Sequence, residues 1–422
     1  MGSRRVRGRT ITQTRPDADL TWYWSSQTAS FAGDRLTGFA VPSIAILSLN
    51  ASSAQVGVLS ALGWFAYPAF GLVAGAALPH IPRRRVMIIG EVIRFAVFAT
   101  IPLAAALGGA GMGQLFVVVA VAGVAMVFVD VAGQSYLPAL VEPQHLVGAN
   151  ALIGMNARVQ SSDSASKLVG PALAGLLLRT TGSTIGMLLS TLPFLASAYG
   201  RTRITTVEPP VDAAREPMLQ RIRTGFDFVR RHPILRRQVG AAAVRSFGSG
   251  MVDAVLLLFA YRVLGLSSLA GGLLIAAGSV GGLLGAFGAN RLAIKLGTRR
   301  VLLLTSVEAL CWLAIPLCLV TAPAITLVLI RVLAGGWLPV WNVVTTSVRQ
   351  QLTPAALQST VHATARTLTS STVPLGALTG GFAGGVLSSQ LGAATGLVLV
   401  LAAGGVIAGS SALLVATTPR EV

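Results

Sequence analysis

LTWYWSSQTASFAGDRLTGFAVPSIAILSL, residues 20–49, is 30 residues long, and a bilayer crossing needs about 20. It opens on Trp22, Tyr23 and Trp24, aromatic residues of the kind that anchor helices at the lipid headgroups. Asp34 and Arg35 stand in its middle. At the helical period Gln27, Ser30, Asp34 and Thr37 share one polar stripe, flanked by Gly33 and Gly38. An ionised group at mid-bilayer costs about 2.5–3.5 kcal/mol on insertion scales. A helix with two must turn them toward protein or water. We read it as a helix lining a central aqueous cavity, around which the other helices are arranged. The alternative is an acid–base pair that only packs helices together. Neighbouring residues diverge around the helix axis, so direct pairing of Asp34 with Arg35 is the weaker version of that alternative.

The chain has 422 residues, of which 53% are hydrophobic and 11% charged, and its mean hydropathy is +0.73. These values belong to integral membrane proteins. The net charge of +18 raises the question of nucleic acid, but the basic residues lie between apolar runs, so no nucleic-acid partner is expected. All 32 basic residues except Lys167 and Lys295 are Arg, which with the excess of Ala and Gly points to a high-GC bacterial genome. Cys311 and Cys318 share one apolar run and offer no disulfide or metal framework. No apolar core precedes Leu20, so the N-terminus does not read as a cleavable signal peptide. There is no GxxxxGKS or GxxxxGKT phosphate loop and no HExxH, and the four histidines, at 80, 145, 232 and 362, are scattered. ATP drive, enzyme chemistry and cofactors are therefore not expected.

Apolar runs follow at 54–79, 86–107, 114–137, 147–178 and 183–200, and again at 239–263, 268–293, 300–320, 323–347, 359–387 and 391–416. The expected fold is an all-α membrane protein of twelve transmembrane helices in two pseudo-symmetric six-helix bundles around a central cavity. The expected divisions are an N-terminal bundle at 1–200, a linker at 201–238 and a C-terminal bundle at 239–422. With cytoplasmic termini, twenty-two Arg and Lys fall on the inner side and two, Arg179 and Arg262, on the outer side. That asymmetry sets the orientation. In the linker, Leu219, Ile222, Phe226 and Val229 share a helical face with Arg223, Arg230 and Arg231 off it, a basic amphipathic helix for the inner leaflet.

The halves echo each other: RRRVMIIGEVIRFAVFATIPL from Arg83 resembles TRRVLLLTSVEALCWLAIPL from Thr298. Repeated halves are a transporter architecture with the substrate site between them. Together with GAALPHIPRRR at 75–85, DVAGQSYLP at 130–138, GPALAG at 170–175, GFDFVRRHPILRR at 225–237 and PLGALTGG at 374–381, this resembles the major facilitator superfamily, in the bacterial drug, macrolide-type and siderophore exporter branch. The resemblance implies alternating access and export. It also implies a latch between the loop after the second helix and Asp130. Pro79 and His80 replace that motif's Asp and basic residue, which leaves Arg84 or Arg85 to meet Asp130; the alternative is that these arginines only enforce topology. GPALAG resembles the antiporter motif of the fifth helix. Gly170 and Gly175 permit close helix contact and Pro171 a bend, as Pro374 and Gly376 do later.

Intramembrane charges are the candidate site. Asp34, Asp253 and Asp163 are the candidates for proton coupling, in that order. Asp163 and Lys167, four apart, also suit a structural pair. Glu91 and Arg94 read as an internal pair, and Glu308 shows no local partner. Gln27, Ser30, Arg35, Arg158, Arg245 and Arg366 are candidates for the polar cavity wall. Trp64, Trp337 and Trp341, beside Asn342, could stack an apolar substrate or merely pack helices. The expected function is a secondary active, proton-coupled exporter of hydrophobic or amphipathic small molecules such as antibiotics. Its expected partners are substrate, protons and lipid, and it is expected to be a monomer in the bacterial cytoplasmic membrane. The alternatives are a dedicated exporter of one native metabolite and a non-transporting receptor.

Overall fold

The computed structural model describes residues 16–77, 81–140, 146–206, 218–354 and 357–416. The N-terminal arginines, Pro79, His80 and the middle of the linker lie outside the described residues. The described residues form α-helices and no strand: α1 (Pro16–Leu47), α2 (Ser53–Ala77), α3 (Arg83–Ala106), α4 (Met112–Leu140), α5 (Leu146–Thr202), α6 (Met218–Arg231), α7 (Pro233–Leu258), α8 (Ser268–Leu296), α9 (Thr298–Leu304), α10 (Val307–Leu313), α11 (Pro323–Gly335), α12 (Trp337–Leu352), α13 (Gln358–Ser370), α14 (Thr372–Leu391) and α15 (Ala393–Ala416).

The breaks have local causes. Gly182 adopts φ 79°, a conformation that side-chain-bearing residues resist, and divides α5 into two crossings. Thr305 and Ser306, between α9 and α10, turn their hydroxyls back onto the carbonyls of Leu302 and Leu303 at 2.6 and 2.7 Å. Such back-bonding bends helices. Pro316 then tightens the chain into a 3-10 turn at Ile315–Leu319.

Eight helices among the described residues are long and apolar enough to cross a membrane. The sequence reading expected twelve spans. The long α5 counts once although it bends at Gly182. Asp34 and Arg35 dilute the apolar character of α1, and glycine, serine and threonine dilute that of α14.

Helices α1–α5 pack as one bundle and α7–α15 as a second. They meet along two seams, α5 with α8 and α2 with α14. At its tightest points each seam is backbone against backbone, and on the α5–α8 seam the Ser268 and Ser279 hydroxyls also donate to the carbonyls of Gly175 and Lys167, both at 3.1 Å. A Cβ on Gly175 would lie 2.4 Å from the Ser268 carbonyl oxygen, and one on Gly272 2.3 Å from that of Pro171. One on Gly57 would lie 2.7 Å from Cα of Gly381. Close approach of this kind is what small residues permit inside a membrane. At the same end of the bundle Ser43 and Tyr261 share a hydrogen bond of 2.9 Å, and Arg262 donates to the Ala51 carbonyl at 2.7 Å.

Two tyrosine and carboxylate ties fix other helix ends. Tyr23, expected at the headgroups, is buried and donates to the Gly133 carbonyl at 2.9 Å. Asp19 accepts from Thr205 and Thr206, including the Thr206 hydroxyl at 2.6 Å, which binds the start of α1 to the end of α5. Burial alone would raise the Asp19 pKa, but those hydrogen bonds together hold it below its ordinary 3.8. The basic helix α6 packs against α13 and α7, so its stripe is committed to protein at Val229.

Candidate functional site

The polar stripe of α1 faces α3 and the end of α5. Glu91 and Arg94 of α3, three residues apart, pair at 3.2 Å. Arg94, 2% exposed, also binds Asp34 of α1 and lies 4.1 Å from the centre of the Phe194 ring. Glu91 additionally pairs with Arg201 at 3.1 Å and accepts from the Ser197 hydroxyl at 3.2 Å. Arg201 donates onward to Gln27 at 3.2 Å and to the Met87 carbonyl at 3.1 Å. Two acids and two bases thus form one chain, Asp34–Arg94–Glu91–Arg201, closed by Gln27 and Ser30. Buried ions persist only when their charges and hydrogen bonds are met in this way. Asp34 is the exposed end of the chain, with its side chain 25% exposed.

Its neighbour turns elsewhere. Arg35 pairs with Asp163 at 2.8 Å, and Asp163 with Lys167 at 2.5 Å. Asp34 and Arg35 therefore serve different helices, as their divergence on α1 requires.

The second bundle repeats the arrangement with the charges exchanged. Arg245 of α7 binds Glu308 of α10, and its guanidinium stands 5.5 Å from the Trp341 ring centre. Helix α7 corresponds to α1 in the repeat, and the α9–α10 segment to α3. In the first bundle the acid is on the first helix and the base on the third; in the second bundle this is reversed. Asp253 sits more loosely, 4.0 Å from Arg331, with its side chain 44% exposed.

Several expectations are corrected. Gln27, Ser30, Arg245 and Trp341 are buried inside the bundles and do not line an open cavity. Gln27 and Ser30 are taken up by Arg201 and Arg94, while Arg245 is drawn inward by Glu308 and the Trp341 ring. Glu308, which showed no local partner, has one from α7. Arg201, counted with the linker, is fully buried in the last turn of α5. Its signal was present: Ser190, Ser197 and Arg201 recur at helical spacing on one face.

Asp130 is held by the Tyr67 hydroxyl and by Gln134 at 3.0 Å in place of Arg84 or Arg85. Arg84 donates to the carbonyls of Arg201 and Thr202 at 2.9 and 2.5 Å. Tyr67 in turn faces Arg366 of α13, 4.6 Å from its ring centre, a contact between the bundles. Trp64, Arg158 and Asn342 are exposed and Trp337 is half-buried. Gly170 abuts Arg35 of α1, while Pro374 and Gly376 are buried, Gly376 against the Phe247 backbone.

The profile of the transmembrane secretion effector family matches residues 18–421. The multidrug efflux pump Tap of Mycolicibacterium fortuitum is 26% identical over 306 residues, 71% of this chain and 73% of its own. Among solved structures, the nucleoside transporter NupG superposes with a TM-score of 0.76 at 10% identity, covering 95% of this chain and 100% of NupG. A bacterial homologue of the human lysosomal transporter Spinster, inward-facing and unoccupied, gives 0.72 at 16% identity, covering 95% and 96%. The match takes in both bundles and both glycine seams, and the chain belongs to the transmembrane secretion effector family of the major facilitator superfamily.

Proposed function

We propose that this protein is a secondary active exporter that moves hydrophobic or amphipathic small molecules, drugs among them, by alternating access and in exchange for protons. It works as a monomer in the bacterial cytoplasmic membrane, with its termini in the cytoplasm. The efflux-pump relative supports the substrate class. The observation that carries the coupling is the sharing of Arg94 by two carboxylates. Asp34 is the exposed member. A proton arriving on Asp34 frees it from Arg94, while Glu91 keeps the guanidinium paired. Glu91 is then shared between Arg94 and Arg201, which leaves the buried cluster one positive charge in excess, and α1 loses its ion pair to α3 while the hydrogen bond from Arg94 to Ser30 remains. A group that binds its proton differently in two states couples the proton to the change between them.

Asp34→Asn is expected to leave the protein folded and able to bind substrate, yet to abolish uphill export. The measurement is substrate efflux against a gradient in proteoliposomes under an imposed pH difference. Unchanged uphill efflux removes Asp34 from the mechanism and makes Asp253 the coupling group. The orientation is tested separately. A cysteine at Ser3 or Ala213, both outside the described residues, should resist an impermeant thiol reagent in intact cells. Ready labelling from outside overturns it.

A further inference from the structure

A polar hollow of about 230 Å³ opens between the end of α12 and the start of α13, away from the Asp34 chain. A single water needs only about 10–15 Å³ on this measure. Its lining is Thr346, Arg349, Gln350, Thr353, Gln358 and His362. Each of these side chains carries a hydrogen-bonding group.

Its charge has one sign. From Ala309 to Arg420 the sequence contains no Asp or Glu, while Arg331, Arg349, Arg366 and Arg420 fall in that stretch. Among the described residues no carboxylate pairs with Arg349. Its Nη1 instead lies 3.4 Å from His362 Nδ1, a basic group beside a basic group. Arg366 follows His362 by one turn of α13. Helix α6, seated on α13 through Gly225 against Thr360 and Thr364, adds Arg223, Arg230 and Arg231 with Asp227 as its one acid.

Two donors in the lining are unmet. Nε of Arg349 and Oγ1 of Thr353 are buried without a hydrogen-bond partner. The two belong to residues that line one hollow, where a single oxyanion can accept from both. Gln358 ties the walls together, donating from its Nε2 to the carbonyls of Gln350 and Thr353 at 3.3 and 3.4 Å. Helix α13 begins at Gln358, so its unpaired amide N–H groups and the positive end of its dipole sit at the rim.

We infer that this hollow is a binding site for a phosphate group, held by the fork of Arg349 and the Thr353 hydroxyl at the start of α13. A guanidinium presents two parallel N–H donors to such an oxyanion, which an ammonium cannot do. The phosphate can be carried by the headgroup of an anionic lipid or arrive free from solution. The inference does not depend on what the protein exports.

The test is the melting temperature of the full-length protein in neutral detergent. One arm titrates inorganic phosphate against chloride at equal ionic strength. The other adds phosphatidylglycerol or phosphatidylcholine to the micelles. A ligand that binds only the folded state raises the melting temperature. The wild type is expected to rise with phosphatidylglycerol over phosphatidylcholine, or with phosphate over chloride. R349Q and T353V are expected to lose that rise. A rise with the lipid alone assigns the headgroup; a rise with inorganic phosphate as well assigns a site open to solution. Should R349Q fail to fold, R349K keeps the charge without the fork and is expected to lose most of the rise, and T353V stands as the near-isosteric check. No rise in the wild type with either anion, or an undiminished rise in T353V and the Arg349 variant, overturns the inference.

Discussion

Gly175→Leu is expected to abolish transport while the protein still inserts and accumulates. A Cβ alone at this position would stand 2.4 Å from the Ser268 carbonyl oxygen and 3.1 Å from Cα of Leu269. Those atoms are backbone of the other bundle and cannot rotate away. Within each bundle nothing is disturbed, because Gly175 faces the seam. Overpacking a tight contact costs about 1–3 kcal/mol. At the upper end that depletes the closed state roughly 100-fold. Pro171→Ala acts on the same seam, where the Pro171 carbonyl meets Gly272, and is expected to impair transport less. The measurement is efflux in cells, normalised to protein in the membrane fraction. Normal efflux by Gly175→Leu would show that this seam need not close.

Arg245→Ala is expected to destabilise the protein by about 3–5 kcal/mol, the loss usual when one partner of a buried ion pair is removed. It strands Glu308, which is 7% exposed, and takes the guanidinium from the Trp341 face. The double exchange R245E/E308R is expected to recover much of that loss. Its polarity, acid on the first helix of the bundle and base on the third, is the one that Asp34 and Arg94 already use. Melting in detergent, followed by size-exclusion profile, reads both. A single variant that melts like the wild type, or an exchange worse than the single change, would refute the pairing.

The fold was legible because membrane crossings announce themselves one at a time. Each is an apolar run long enough to span, and the repeat at Arg83 and Thr298 showed that the runs come in two sets. The site was legible only in part. The stripe of Gln27, Ser30 and Asp34 reports that one face of α1 is polar; it does not report what that face meets. Water in a cavity and a guanidinium on a neighbouring helix make the same demand on a sequence. Arg94 and Arg201 answer it, from α3 and from the far end of α5. Local pairs such as Asp163 with Lys167 were readable, since four residues on a helix fix their separation. Arg245 and Glu308 are 63 residues apart and were not.

The glycine seams also bear on how fast the bundles could come together. Where two protein surfaces meet through long side chains, each chain gives up rotamer freedom as it docks. Glycine has none to give up. At Gly175, Gly272, Gly57 and Gly381 the approaching atoms are main chain already held by helical hydrogen bonds. The side-chain tie beside Gly175 is the short hydroxyl of Ser268, which donates to the Gly175 carbonyl at 3.1 Å, so contact there requires little search among rotamers. The encounter of the two bundles is accordingly closer to the meeting of two rigid rails than to the docking of two adaptable surfaces. Its rate should then be governed by the motion of whole bundles through lipid, and respond to membrane viscosity more than to substitutions at exposed positions beside the seam.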